Sequence, residues 1–124
     1  IYGNGKNIRD WIYVLDHVDC LYTILKKGKI GETYNIGTNN ELENIKICKM
    51  ICLKINKLKK NKFNNLKLIK FVDDRKGHDL RYAINNNKIK KTLGFRSKYK
   101  FENALDTTVK WYLNNSDWLK NKTK

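Results

Sequence analysis

Residues 71–84, FVDDRKGHDLRYAI, gather Arg75, Arg81 and His78 with Asp73, Asp74 and Asp79 around a single glycine, Gly77. An arginine fork suits phosphate oxygens because its planar donors meet two acceptors at once. A flexible glycine beside it lets backbone N–H groups approach the same ligand. On spacing alone the stretch reads equally as an anion-binding turn and as a salt-bridged surface loop after a strand. His78 lies inside the glycine turn, whereas His17 falls on a predicted helix, where packing or capping accounts for it better than catalysis.

A second cluster opens the chain. YGNGKNIRDW, residues 2–11, resembles a phosphate-cradling glycine loop, but Ile8 stands at the third glycine position and no strand precedes it. A tight turn delivering Arg9 fits better. Arg9 then either pairs with Asp10 or binds an anion. Ser97 and Ser116 have no acid–base partner suggested by the sequence, so no catalytic constellation is visible. Cys20, Cys48 and Cys52 are odd in number and lack CxxC spacing. Cys48 and Cys52, one helical turn apart among isoleucines, read as small buried apolar residues. This pattern argues against a disulfide framework or a zinc site and suits a reducing cytoplasm.

The elements that position these clusters follow from periodicity. YVLDHVDCLYTILKKG, residues 13–28, places Val14, Val18, Leu21, Tyr22 and Leu25 at helical spacing with Gly28 as the stop. GETYNIG, 31–37, predicts a short strand. NNELENIKICKMICLKINKLKK, 39–60, predicts a second helix buried through Ile47, Cys48, Ile51, Cys52, Ile55 and Leu58, with Asn44 as its cap. NNLKLIKFVD, 64–73, reads as another strand with Leu66, Leu68, Ile69 and Phe71 apolar. NNNKIKKTLGF predicts a short helix closed by Gly94. A last helix over 100–120 puts Phe101, Ala104, Leu105, Thr108 and Tyr112 on one face. Three main helices with short strands cannot make a doubly wound sheet. They predict a small α/β lobe leaning on something larger.

Charge and length narrow the class. The formal charge is +15, from 27 Lys+Arg against 12 Asp+Glu in 124 residues, with no proline. Such an excess raises nucleic acid as a partner. The excess is mostly lysine, scattered and not interleaved with aromatics, so an A/T-rich codon bias explains it better than a polyanion site. No run of about twenty apolar residues predicts a membrane span, and no signal-peptide pattern opens the chain. Ile1 at the start and a sole methionine at Met50 predict a piece of a longer chain.

Three stretches taken together carry a resemblance. IYGNGKNIRDWIYVLDHVDCLYTILKKGKIGETYNIG, FVDDRKGHDLRYAINNNKIKKTLGF and FENALDTTVKWYLNN, in that order, resemble the carboxy-terminal portion of the dTDP-glucose 4,6-dehydratase family of extended short-chain dehydrogenases. The resemblance covers essentially the whole chain. The Arg-Asp-aromatic element is shared across extended short-chain dehydrogenases, while Asp-Arg-x-Gly-His-Asp-x-Arg-Tyr is far more specific.

The resemblance implies a two-lobed enzyme. An amino-terminal Rossmann lobe, absent here, holds NAD and the Tyr-x-x-x-Lys and Asp-Glu pairs. A small α/β carboxy-terminal substrate-binding lobe, here residues 1–124, grips the nucleotide sugar. No catalytic, cofactor or metal-binding residue then falls within this chain. Position by position, Ile1 and Tyr2 match the stretch lining the base. Arg9 matches an arginine near the diphosphate, and Asn44 matches a polar substrate contact. Asp74, Arg75, Lys76, Gly77 and His78 match the substrate loop, with Arg75 as diphosphate clamp. Lys76 stands where the family has proline, which predicts a more mobile loop. The implied reaction converts dTDP-glucose to dTDP-4-keto-6-deoxyglucose in a cytoplasmic homodimer, and the isolated chain is expected to be inactive. The partners expected are dTDP-glucose and the Rossmann lobe, with neither membrane nor nucleic acid. The alternatives are another nucleotide-sugar dehydratase or epimerase, and a basic polyanion-binding or structural domain. If the resemblance holds, Arg9, Asn44 and residues 74–78 must meet on one rim.

Overall fold

A computed structural model describes residues 1–60 and 63–122. It shows a small α/β lobe with two short strands, β1 (Ile8–Asp10) and β2 (Glu41–Glu43), and five helices. These are α1 (Val14–Lys27), α2 (Asn44–Lys59), α3 (Asn87–Leu93), α4 (Phe101–Asn114) and α5 (Ser116–Lys122). The strands pair antiparallel with Ile8 opposite Glu43, Arg9 opposite Leu42 and Asp10 opposite Glu41. The other edge of the amino-terminal segment carries two isolated parallel bridges, Tyr2 to Val72 and Ile8 to Arg81. Residues 72–81 therefore run alongside residues 2–8, and the loop between the bridges arcs over the first turn.

Packing divides in two. Cys20 of α1, Ile89 of α3 and Phe95 form one core, with Ile24, Tyr34, Ile36 and Leu93 against it. Ile47 of α2 and Ala104 and Val109 of α4 are buried as well, and Lys54 pairs with Asp106 between those two helices at 2.5 Å. Buried Asp16 ties α1 to the segment before α4, accepting from Ser97 Oγ at 2.7 Å and Lys98 N at 2.8 Å. All three cysteines are free; Cys20 is buried, and Cys48 and Cys52 are only partly so. No helix among the described residues is long and apolar enough to cross a membrane.

The helices fall where periodicity places them, but several finer expectations fail. Residues 32–40 form no strand, although Tyr34 and Ile36 still reach the core. In place of a strand over 64–73 there is a 3-10 turn, Asn65–Leu68. Asn64 accepts from Leu66 N, and Asn56 Oδ1 accepts from both the backbone and the side chain of Asn65. These local side-chain bonds compete with a ladder, and exposed Leu68 and Phe71 find no apolar surface to favour one. Asn44 is the first helical residue and not the cap. Glu43 holds that place without a side-chain cap bond, because it is already in β2. The last helix breaks at Asn115, whose amide nitrogen bonds back to Trp111 O at 2.8 Å.

Helix faces differ too. On α1 the buried positions are Asp16 and Cys20, while Val14, Val18, Leu21, Tyr22 and Leu25 face outward, Leu25 at 80% exposure. Leu58 and Tyr112, at the ends of their expected stripes, are also exposed, and Val109 is buried instead.

Candidate functional site

The rim begins with a turn. Gly5 N donates to Tyr2 O at 3.2 Å, and Gly3 has a φ of +54°. A Cβ on Gly3 would lie 2.7 Å from Asp74 Oδ2, so glycine serves both the backbone angle and the close approach of the second loop. That loop makes its own turn, closed by His78 N to Arg75 O at 3.2 Å. Gly77 has a φ of +69° while Lys76 has no positive φ, which is the pattern of a type II turn. Nothing lies near the place of a Gly77 Cβ, so only the backbone angle demands glycine there.

Between the two turns lies His78, its side chain only 6% exposed. Nδ1 stands 2.6 Å from Asp74 Oδ1, and Nε2 stands 3.1 Å from Arg9 Nη2. Buried Asn7 braces the arrangement: its amide lies 3.4 Å from His78 Nδ1 and donates to Asp79 O at 3.2 Å. Arg9 also donates from Nη1 to Ile8 O at 2.7 Å and from Nη2 to Asp79 O at 3.1 Å. Its guanidinium sits over the Tyr82 ring at 4.4 Å. The Tyr82 hydroxyl donates to the Asp79 carboxylate, and that bond and its charge push the phenol pKa up.

Arg75 lies over Tyr2, 5.3 Å from the ring centroid, and Tyr2 meets His78 edge-on at 6.2 Å. The His78 hydrogen bond holds Asp74 below the usual carboxylate range, helped by Arg75 N at 2.9 Å. Arg81 points elsewhere and is compensated, with Nε and Nη2 on Glu41 Oε2 at 2.8 and 2.7 Å. Among the described residues, neither Arg9 nor Arg75 has a carboxylate ion-pair partner. The alternative of an Arg9–Asp10 pair fails for a clear reason. Asp10 is occupied by Thr38 N, Thr38 Oγ1, Asn39 N and Asn40 N at 3.0–3.2 Å.

The remaining residues are more peripheral. Asn44 joins through its backbone, donating to Asn7 O at 3.0 Å, with its side chain half-buried. Ile1 is joined to the second loop through Val72 N, which donates to Ile1 O at 2.9 Å. Lys76 is exposed at the tip of the turn. Sequence reasoning singled out neither Asn7 nor Tyr82, though both lie within the stretches it quoted. The signal lay in Asn7 standing two residues before Arg9 on the same edge. No group of three His, Cys, Asp or Glu able to hold a metal occurs among the described residues.

Two guanidinium groups that have no carboxylate partner among the described residues, set around an enclosed histidine side chain on one rim, can receive an anion with two separated charges. The fold around that rim is shared with a known group. The chain belongs to the GDP-mannose 4,6 dehydratase family, which matches residues 1–108. A dTDP-glucose 4,6-dehydratase of Escherichia coli is 48% identical to it in an alignment 122 positions long that covers 95% of this chain and 34% of that protein. A solved dTDP-glucose 4,6-dehydratase from Bacillus anthracis in complex with NAD superposes with a TM-score of 0.80 at 44% identity, over 95% of this chain and 35% of that one. Another, from Streptomyces venezuelae with NAD bound, gives 0.84 at 35% identity, over 94% and 34%. The chain spans about a third of the length of the curated relatives it matches.

Proposed function

We propose that this chain is the substrate-gripping lobe of an NAD-dependent dTDP-glucose 4,6-dehydratase, the enzyme that makes dTDP-4-keto-6-deoxyglucose. The observation that carries this reading is the pair Arg9 and Arg75. They stand on one rim around His78, Arg9 hydrogen-bonded and stacked, Arg75 stacked, and among the described residues neither has a carboxylate ion pair. Arg9 and Arg75 take the diphosphate, Ile1 and Tyr2 line the base, and Asn44 lies beside the same rim. The turn of Asp74, Arg75, Lys76 and Gly77 closes over the ligand, with the His78 side chain enclosed behind it. The contribution to catalysis is positioning, which spares the reaction the entropy of orienting its substrate.

NAD does not fit these residues. A pyrophosphate cradle needs glycines open to the ligand, and here Asp74, Ile1 and Ile45 already occupy the space beside Gly3 and Gly5. The cofactor belongs with the Rossmann lobe supplied by the rest of the enzyme. The outward apolar face of α1 supports such a neighbour. So does an apolar groove of about 680 Å³ whose lining includes Val14, Leu15, Ile51, Leu105 and Trp111.

The test is titration of dTDP onto the enzyme that carries this lobe. Arg75→Ala should weaken binding at least tenfold with an unchanged melting temperature, in line with about 2 kcal/mol for a charge losing its ionic partner. A change below threefold overturns the assignment. With NAD and dTDP-glucose the isolated chain should form no 4-keto-6-deoxy product. Tight binding of unrelated duplex DNA with a steep salt dependence would favour the polyanion reading instead.

A further inference from the structure

We propose that His78 is a positioning residue: its imidazole, fixed by Asp74, holds the Arg9 guanidinium in place and does not itself touch the ligand. The inference rests on the nucleotide-sugar reading above and assigns a division of labour within that site.

Three observations carry it. The His78 side chain is 6% exposed and has little surface to offer a ligand. Both ring nitrogens already have partners inside the protein, Asp74 Oδ1 on Nδ1 and Arg9 Nη2 on Nε2. Those partners also dictate where the proton sits. An ionised carboxylate only accepts and a guanidinium only donates, so Nδ1 carries the hydrogen and Nε2 offers the lone pair. The Asn7 amide meets the same need by donating to Asp79 O, the shorter of its two contacts.

The effect on Arg9 is specific. Among the described residues, three of its five N–H donors go to Ile8 O, Asp79 O and His78 Nε2, and Tyr82 covers one face. Two donors remain for a ligand. Without the Nε2 acceptor the Nη2 group would keep only the Asp79 carbonyl, and the fork could turn about its stem. Among the described residues Arg75 has no such brace; it lies on Tyr2 at the exposed end of the turn. The two arginines therefore differ in kind, Arg9 pre-set and Arg75 closing.

The experiment has a ligand-free arm and a binding arm. In the 124-residue chain, long-range proton–nitrogen correlation of the His78 ring should show the Nδ1–H tautomer. An Nε2–H tautomer overturns the proposal, because Nε2 could not then accept from Arg9. In the binding arm dTDP is titrated onto the enzyme that carries this lobe, through a double-mutant cycle. His78→Ala should weaken binding at least tenfold alone, yet less than twofold in an Arg9→Lys background. His78→Gln, whose amide oxygen can still accept from Arg9, should recover to within threefold of the unaltered protein; His78→Asn, too short to reach, should not. Equal losses in both backgrounds, or no loss at all, overturn the proposal. If His78→Ala fails to fold, the Gln–Asn contrast and the tautomer decide. If the Nδ1–H tautomer is present but the enzyme carrying this lobe does not bind dTDP, the nucleotide-sugar reading is overturned and the His78–Arg9 link is upheld.

Discussion

The rim around His78 and the outer face of α1 lie on the same small lobe and are finished to different degrees. At the rim, Asp10, Asn7, His78 and Arg9 bond to groups supplied by this chain, and among the described residues no buried side-chain nitrogen or oxygen lacks a partner. On α1, Val14, Val18, Leu21, Tyr22 and Leu25 face outward, and the groove beside α4 continues that apolar surface through Val14 and Leu15. The contrast shows how the two kinds of interaction are completed. A hydrogen bond needs one well-placed atom, which a loop of the same chain can provide. Burial of apolar area, at roughly 25 cal/mol per Å², needs a whole second surface, and patches of this kind mark interaction sites.

The largest loss is expected at Asp10, which ties β1 to residues 38–40. Asp10→Ala strips acceptors from Thr38, Asn39 and Asn40 at one stroke and should cost about 2 kcal/mol of stability. Asp10→Asn, which keeps one acceptor oxygen, should cost less. Urea unfolding at fixed pH measures both, and an Asp10→Ala midpoint equal to that of the unaltered chain would refute the role given to Asp10.

A smaller loss is expected on acidification. The His78 hydrogen bond depresses the Asp74 carboxyl, so the stability it lends is complete above the ordinary carboxylate pKa and disappears as pH falls through the lower folded-state value. Nuclear magnetic resonance signals of residues 74–78 should report loosening in that acidic range. Asp74→Asn should remove the transition, and its persistence in that variant would assign it to another group.

Lys76→Pro should act in the opposite direction. Position 76 precedes Gly77 in the turn and has no positive φ, which a proline's fixed φ fits. The substitution should stabilise the chain by about 0.4–1 kcal/mol, raise the melting temperature and leave dTDP affinity equal or tighter. A fall in melting temperature would show that the Lys76 backbone does not hold this conformation.

The smallest expected effect belongs to the apolar face. Leu25→Lys should change the stability of the isolated chain by no more than about 0.5 kcal/mol, because the side chain is already 80% exposed. In the complete enzyme the same substitution should be markedly destabilising. Equal melting shifts in the two settings would mean that nothing covers this face.

The helices were legible without coordinates, apart from the break at Asn115, because their period and stop signals involve residues three or four apart. Gly94 after α3, with a φ of +68°, is one such signal. The sequence also marked Arg9 and the Asp74–His78 loop as the polar chemistry worth weighing, and the stretches carrying the resemblance were legible without coordinates. Tertiary structure decided the rest. Val18 and Leu25 declare a helix but not which neighbour meets it, and here Asp16 and Cys20 turn inward instead. Val72 and Arg81 pair only through isolated bridges to residues about seventy positions earlier, partners that the strand read over 64–73 could not name. Asp10 stands beside Arg9 in sequence yet bonds to residues 38–40, while Arg9 meets His78 sixty-nine positions away. Local periodicity reports bonds that close within a turn; pairings across such distances are fixed only when the whole lobe packs.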